Sequence, residues 1–404
     1  LEAPVELTAD KVLDALELRA GRSATRPDEI VDLVRRTEPG LAVTLFSAWE
    51  ADGAGLSPAL RAEVEAVRHR MEFYRAVVGR LRAKVPELTL IKGLEVADLY
   101  PAGLVRNMTD IDVVAPSESA QWDIVEILRA EGWELDSGSV ISIDGELRLL
   151  TCMVLPHEDQ YQAPYSAEIG TAYSFGNLAG IPPVLSLPAP WRAPAIKNML
   201  MLLNERYEQP FRAKDLIDCT LLHERLDAAD RATLHQAIAE LCLAVEYAEL
   251  AGLVAAAGLA TFPPLPGGRG RASANARTRR LTRQLSFARS PLGWAARNLQ
   301  RRQMLGQSGR AEDLVWSAVP RWMPPGAAVR AGLVSFGLPV DGPPPDVKSA
   351  VLRHRDSITW VDTPVARFLL TIGDDVAQSA FDELSAPGDT TKGGSDEPAG
   401  QEAT

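Results

Sequence analysis

The spacing of apolar residues changes character twice along this chain, and those two changes constrain the fold more than any other feature. Over residues 5 to 85 the apolar positions recur at helical intervals, as in Val12, Leu13 and Leu16 and again in Val64, Val67, Met71, Tyr74, Val77, Val78 and Leu81. From Leu88 the pattern shortens to strand-like runs. Leu88 to Ile91 reads as a strand and Leu94 to Tyr100 as a helix stopped by Pro101. Asp110 to Val114 reads as a second strand. Pro116-Ser117 opens an amphipathic helix carrying Trp122, Ile124, Val125, Ile127 and Leu128, which Gly132 closes. Val140 to Ile143 and Glu146 to Leu155 form a hairpin about Asp144-Gly145, and Tyr165 to Ala172 is a further strand. From about residue 193 the helical period returns, predicting helices over Ala195 to Tyr207, Ala213 to Leu226 and Asp230 to Leu253.

The expected fold class is therefore α+β: N-terminal helices, a small mixed β-sheet core and a helical C-terminal region. The expected organisation is a helical segment at 1–85, the sheet core at 86–190 and a helical domain at 191–262. A Pro/Gly- and Arg-rich region follows at 263–346, then a small α/β module at 347–386 and a disordered tail at 387–404. In that module Ser357 to Val361 reads as a strand and Thr363 to Ile372 as a helix. With 404 residues, 46% of them hydrophobic, the chain has material for two or three such domains.

A net charge of -12 argues against general nucleic-acid binding, which needs clustered cations. The local exception is Arg269 to Arg310, with eleven arginines and no acid. It reads as a basic helix docked on the acidic remainder, as an anion- or nucleic-acid-facing surface, or as a lipid contact in which Leu281, Leu285, Phe287, Leu292, Trp294 and Leu299 interleave with the arginines. The docked or substrate-facing reading is preferred. Cys152, Cys219 and Cys242 stand far apart, which argues against a disulfide framework or zinc site. No apolar run reaches membrane-spanning length and no secretory signal is visible, so a cytoplasmic protein is expected.

The chemistry concentrates in Leu90 to Val114. Side chains alternate along a strand, so Asp110 and Asp112 share one face while Ile111 and Val113 turn to the core. Adjacent carboxylates repel, and a cation between them relieves the repulsion. Magnesium accepts one or two carboxylates together with phosphate oxygens. Gly93, between strand and helix, permits close backbone approach, and N–H groups at a helix start attract phosphate. Lys92 and Arg106 are cations suited to neutralising phosphate.

Leu90-Ile91-Lys92-Gly93, then Tyr100-Pro101, then Arg106 and Asp110-Ile111-Asp112-Val113, together resemble an uncharacterised nucleotidyltransferase family of the DNA-polymerase-β-like superfamily. The resemblance spans roughly residues 75 to 225, is strongest over 90 to 133, and ends by about 230. It implies transfer of a nucleoside monophosphate from a nucleoside triphosphate to a hydroxyl of a small molecule, natural-product peptide or protein, with Mg2+ or Mn2+. Relatives of that family lie near surface-polysaccharide and peptide-natural-product biosynthesis genes. The superfamily's third carboxylate falls on Glu168 in Ser166-Ala167-Glu168-Ile169-Gly170. Family members often carry histidine two residues later, where this chain has Gly170. Asp144 and Glu146 are rivals for the third acid, but they flank a hairpin turn. Lys214-Asp215-Leu216-Ile217-Asp218 resembles the family's acidic helix motif, which would bring Lys214 or Asp215 to the nucleotide or acceptor. Two alternatives stay open: a catalytically degenerate nucleotide-binding scaffold, and a toxin–antitoxin-type transferase acting on tRNA or protein.

Overall fold

In the computed structural model the structure describes residues 7–174, 183–206, 209–287, 291–304, 307–342, 345–355, 358–372 and 378–385. The tail from Pro387 lies outside them, as do Tyr207 and Ser357 at the ends of expected elements, and the side chains of 283–294 are not described. The fold is α+β, with N-terminal helices, a nine-stranded mixed sheet and further helices towards the C-terminus.

The elements follow in chain order. Helices α1 (Ala9–Ala20), α2 (Pro27–Thr37), α3 (Ala42–Ala51) and α4 (Pro58–Lys84) precede β1 (Thr89–Ile91), α5 (Gly93–Ala97) and β2 (Asp110–Val114). Next come α6 (Glu118–Ala130), β3 (Glu134–Ile143), β4 (Glu146–Leu155) and β5 (Tyr165–Gly170). Helices α7 (Pro194–Glu205), α8 (Ala213–Glu224), α9 (Ala228–Glu240), α10 (Ala244–Ala256), α11 (Arg269–Phe287), α12 (Pro291–Met304), α13 (Arg310–Trp322) and α14 (Pro325–Arg330) follow. The chain closes with β6 (Ser335–Val340), β7 (Val351–Arg355), β8 (Ile358–Asp362), β9 (Arg367–Thr371) and α15 (Gln378–Ser385). The strand order is β1-β2-β5-β4-β3-β6-β9-β8-β7.

The chain divides into two units. One comprises Leu1–Arg80, Leu90–Ile111 and Gly180–Thr282; the other Leu81–Thr89, Asp112–Ala179 and Arg283–Thr404. In the first, α1 packs on α3 and α8, and α7 on α8, burying Val12, Leu16, Phe46, Met199, Leu203, Leu216 and Ile217. Glu38 reaches across to accept a hydrogen bond from Ala213 N at the start of α8 (3.2 Å). The expected single helix over Asp230 to Leu253 is instead two, α9 and α10. Cys242 takes φ 59°, Leu243 N donates to Ile238 O (2.9 Å) and Cys242 N to Ala239 O (3.3 Å). That is a Schellman closure with cysteine where glycine is usual.

His223 on α8 stacks on Phe262, ring centroids 4.4 Å apart, and its buried Nε2 has no hydrogen-bond partner among the described residues. Burial, followed by the charges of Arg231 and His235, lowers its pKa from 6.5 to about 4. The unfolded chain takes up that proton near 6.5 and the folded chain only near 4, so this contribution to stability is complete above 6.5 and is lost as pH falls towards 4. The loss is expected to reach about 3 kcal/mol, by 1.36 kcal/mol per pKa unit, as a fall in urea midpoint that His223→Phe removes.

In the second unit Ser117 accepts from Ala120 N (3.2 Å) to start α6, and Gly132 (φ 89°) ends it. The buried Gln121 side chain donates to Leu149 O, Thr151 Oγ1 and Ile169 O at 3.0–3.2 Å, fixing α6 over β4 and β5. The β3–β4 hairpin turns on Asp144 (φ 53°) and Gly145 (φ 86°), the positive-φ pair that a two-residue turn requires. Strand β5 pairs antiparallel with β4, setting Cys152 opposite Glu168. On its other side, Ala115 N, just past the end of β2, donates to Gly170 O at the end of β5 (2.8 Å). Strand β2 is the neighbour of β5 in the sheet order.

One expectation for the C-terminal region is corrected. Thr363 to Ile372 is not a helix: Thr363 N donates to Ala366 O (2.9 Å) in a tight turn, and Arg367–Thr371 is β9, paired to β6 and β8. Short apolar runs such as Phe368-Leu369-Leu370 fit either element, and here the pairing partners decide. Strand β6, which precedes residue 347, bonds to both β3 and β9. Gly138 and Gly337 are partners across β3 and β6 beneath Phe368; a methyl group at Gly337 would stand 3.0 Å from Phe368 Cβ. Gly337→Ala is therefore expected to destabilise by about 1–3 kcal/mol, measured by urea unfolding.

Candidate functional site

Strand β1 ends in a turn that few side chains adopt. Lys92 has φ 51° and ψ −125°, and Gly93 has φ 42°. A non-glycine residue there carries strain that its surroundings must offset. Asn198, wholly buried on α7, accepts from Lys92 N (2.6 Å) and donates to Glu95 Oε2 (2.9 Å). Glu95 also pairs with the buried Lys197 at 2.8 Å. The Lys92 ammonium pairs with Glu205 at the far end of α7. A Cβ on Gly93 would lie 3.4 Å from Met108 Cε and 3.9 Å from Asp110 O, so the turn lies against the start of β2. Helix α5 is only five residues long, so the expected phosphate attraction from a helix start is weak here.

The structure corrects the expectation that Arg106 neutralises phosphate. Arg106 is 3% exposed, and its guanidinium meets Asp218 through Nε at 3.0 and 3.1 Å and Nη2 at 2.8 Å. Tyr100 donates to the same carboxylate (2.7 Å), and Arg106 Nη1 donates to Gly93 O (3.5 Å). Burial alone would raise the Asp218 pKa; the Arg106 charge and its hydrogen bonds outweigh that, and the carboxyl titrates below its ordinary range. Tyr100, Arg106 and Asp218 thus form an internal clamp that ties the chain between α5 and β2 to α8.

The α8 motif divides by role. Asp215 is buried and accepts from Arg212 N (2.8 Å), a capping contact that opens α8; burial raises its pKa. Lys214 is half-buried and has no hydrogen-bond partner among the described residues. Burial and then the Arg106 charge lower its pKa, with Asp218, Asp215 and Lys92 also within its field. Of the predicted positions on the β1 turn and on α8, Gly93 touches the clamp through its carbonyl, Lys214 lies within the field of Arg106 and Asp218, and Asp215 serves α8 itself.

On β2 the exposure alternates as expected: Asp110 and Asp112 are half-buried, Ile111 and Val113 buried. Thr109 Oγ1 donates to Asp110 Oδ1 (3.3 Å). Glu168 is half-buried between the buried Ala167 and Ile169 on β5, the neighbour of β2 in the sheet. Its rivals Asp144 and Glu146 are exposed on the hairpin turn. At Gly170 a Cβ would stand 3.2 Å from Leu150 Cδ1, which leaves little room for the histidine of the resembled family. Among the described residues no three His, Cys, Asp or Glu side chains are gathered tightly enough to hold a metal by themselves. Magnesium takes one or two carboxylates and completes its shell with water and phosphate oxygens.

The residues that sequence reasoning missed are Asn198, Glu205, Glu95 and Lys197. Their signal was present in the two polar residues, Lys197 and Asn198, that interrupt the apolar face of α7. Several arginines of the basic stretch are docked: Arg280 on Glu246 and Cys242 O, Arg297 on Ala331 O, and Arg302 on Glu312. Among the described residues no helix is long and apolar enough to cross a membrane. Comparison with protein families, curated proteins and solved structures finds no match.

Proposed function

We propose that this chain is a nucleotidyltransferase that moves a nucleoside monophosphate from a nucleoside triphosphate to a hydroxyl acceptor: a small molecule, a natural-product peptide or a protein. What supports the reading is that Asp110 and Asp112 share one face of β2 while Glu168 stands on the neighbouring strand β5. Asp110, Asp112 and Glu168 would hold Mg2+ or Mn2+, which supplies charge neutralisation at the triphosphate. Lys92 and Lys214 bind phosphate oxygens; for Lys92 this means exchanging Glu205 for the ligand. Glu168 takes the proton of the acceptor hydroxyl as its oxygen bonds to the α-phosphorus and pyrophosphate leaves. Such a reaction belongs in the cytoplasm, where nucleoside triphosphates are made.

One set of contacts favours a second reading, a nucleotide-binding scaffold without turnover. Arg106 is committed to Asp218, Lys92 is paired with Glu205, and Gly170 stands where the family carries histidine. The docking of Arg280, Arg297 and Arg302 gives less support to a tRNA-modifying enzyme. The two leading readings separate in one assay. The purified chain, given each nucleoside triphosphate, magnesium and a panel of hydroxyl acceptors, is expected to release pyrophosphate, and to stop when the metal is chelated. Magnesium-dependent nucleotide binding without pyrophosphate from any acceptor identifies the scaffold.

A further inference from the structure

A cavity of about 460 Å³ opens in the helical part of the first unit, among α9, the start of α10, the segment before α11 and α11 itself. Its walls are mostly methyl groups. Ala232 and Ala239 face it from α9, Ala272 and Ala276 from α11, and Leu265 closes one side. Alanine-lined helices would ordinarily close on each other, since nothing bulky holds them apart. Here two fixed contacts prevent it. Arg280 is clamped to Glu246 and Cys242 O, which sets the distance of α11 from α10. The segment before α11 is anchored by buried Phe262 and by Tyr247, whose hydroxyl donates to Pro263 O (2.9 Å). The space within this frame is not filled by side chains.

The polar groups on the lining are few and differ in kind. Gln236 and Asn275 offer neutral amides. His235 places one ring nitrogen 3.4 Å from the Tyr247 hydroxyl; its other nitrogen has no partner among the described residues. Burial lowers the His235 pKa, so the ring is neutral at physiological pH and adds no charge. Arg279 is the one charged side chain among the lining residues. It donates through Nη1 to Ala239 O (3.3 Å), near the end of α9, and its remaining N–H groups have no partner among the described residues. An apolar chamber with a single cation on its lining selects an apolar body with one negative charge.

We infer that this cavity is a binding site for a small amphipathic anion, an organic carboxylate or sulfonate whose apolar body fills the alanine-lined space and whose head meets Arg279. It is a site separate from the Lys92–Asp218 cluster, and it does not depend on the nucleotidyltransferase reading. Two fluorescent probes of the same ring system test it on the full chain: 1-anilinonaphthalene-8-sulfonate, which is anionic, and N-phenyl-1-naphthylamine, which is neutral. Both are expected to bind saturably at one site. Ala239→Trp, from the exposed side of α9, and Ala272→Phe, from the opposite wall, should each weaken both probes by about tenfold or more by occupying the space. Arg279→Gln should weaken the sulfonate by about tenfold and leave the neutral probe within about twofold, while Arg279→Lys keeps most of the sulfonate affinity. Cooperative urea unfolding of each variant confirms that it is folded, and if one filling variant fails that check the other decides. Probe binding that does not saturate, or that neither filling variant weakens, overturns the site. Equal weakening of both probes by Arg279→Gln overturns its preference for an anion.

Discussion

Asp112→Asn is expected to lower magnesium-dependent pyrophosphate release by about a thousandfold, with little change in the midpoint of urea unfolding. The substitution keeps the shape of the side chain and removes its charge and one acceptor oxygen. Asp112 is half-buried on β2 between Ile111 and Val113, both of which pack in the core and are untouched by the change. A loss confined to activity therefore points to the carboxylate and not to the strand. The same logic ranks the third acid. Glu168→Gln should cost about a hundredfold if the carboxylate accepts the acceptor's proton, whereas Glu146→Gln on the exposed hairpin turn should cost nothing. The pair of results matters more than either alone. If Glu168→Gln retains full activity while Asp112→Asn does not, the third carboxylate lies elsewhere. If Asp112→Asn itself turns over normally, the nucleotidyltransferase reading fails.

How far that site could be read from sequence depends on the range of the interactions involved. The strand at Asp110–Val114, the helix between Ser117 and Gly132 and the hairpin about Asp144-Gly145 are each closed by local chemistry: a serine cap, a glycine C-cap, a positive-φ turn. Local rules therefore located them, and with them the shared face of Asp110 and Asp112. The break between α9 and α10 was hidden because Cys242 occupies the left-handed position where glycine would have signalled it. Strand β9 was hidden because Phe368-Leu369-Leu370 becomes a strand through β6 and β8, not through its own spacing. Arg106 was misread for the same reason on a larger scale. Its partner Asp218 is 112 residues away, and no local pattern separates an arginine aimed at phosphate from one aimed at a buried aspartate. Tyr100, Arg106 and Asp218 all fell within motifs singled out in the sequence, so the positions were legible while their joint task was not.

That task yields the largest expected effect on stability. Arg106 and Asp218 have side-chain exposures of 4% and 0%, and Tyr100 adds a third buried group to the same carboxylate. Removing one partner of a buried pair leaves the other charged and without water, so Asp218→Ala is expected to cost about 3–5 kcal/mol in urea unfolding. Asp218→Asn should cost somewhat less, because the amide oxygen still accepts from Tyr100 or Arg106. The double variant Arg106→Met/Asp218→Leu should recover most of the loss, since desolvation of the unpaired charge, and not the absence of attraction, dominates the single change. The pH dependence has a definite sign. Burial pushes the Asp218 pKa up and Arg106 more than reverses it, so the folded value is below the unfolded one. The stability from this pair is complete above the ordinary carboxylate range and disappears as pH falls through the lowered folded value. Because the clamp ties the chain between Lys92-Gly93 and Asp110 to α8, its loss should also loosen nucleotide binding in any variant that still folds. Asp218→Asn that unfolds like wild type and binds nucleotide equally well would mean that α8 holds this segment by apolar packing alone.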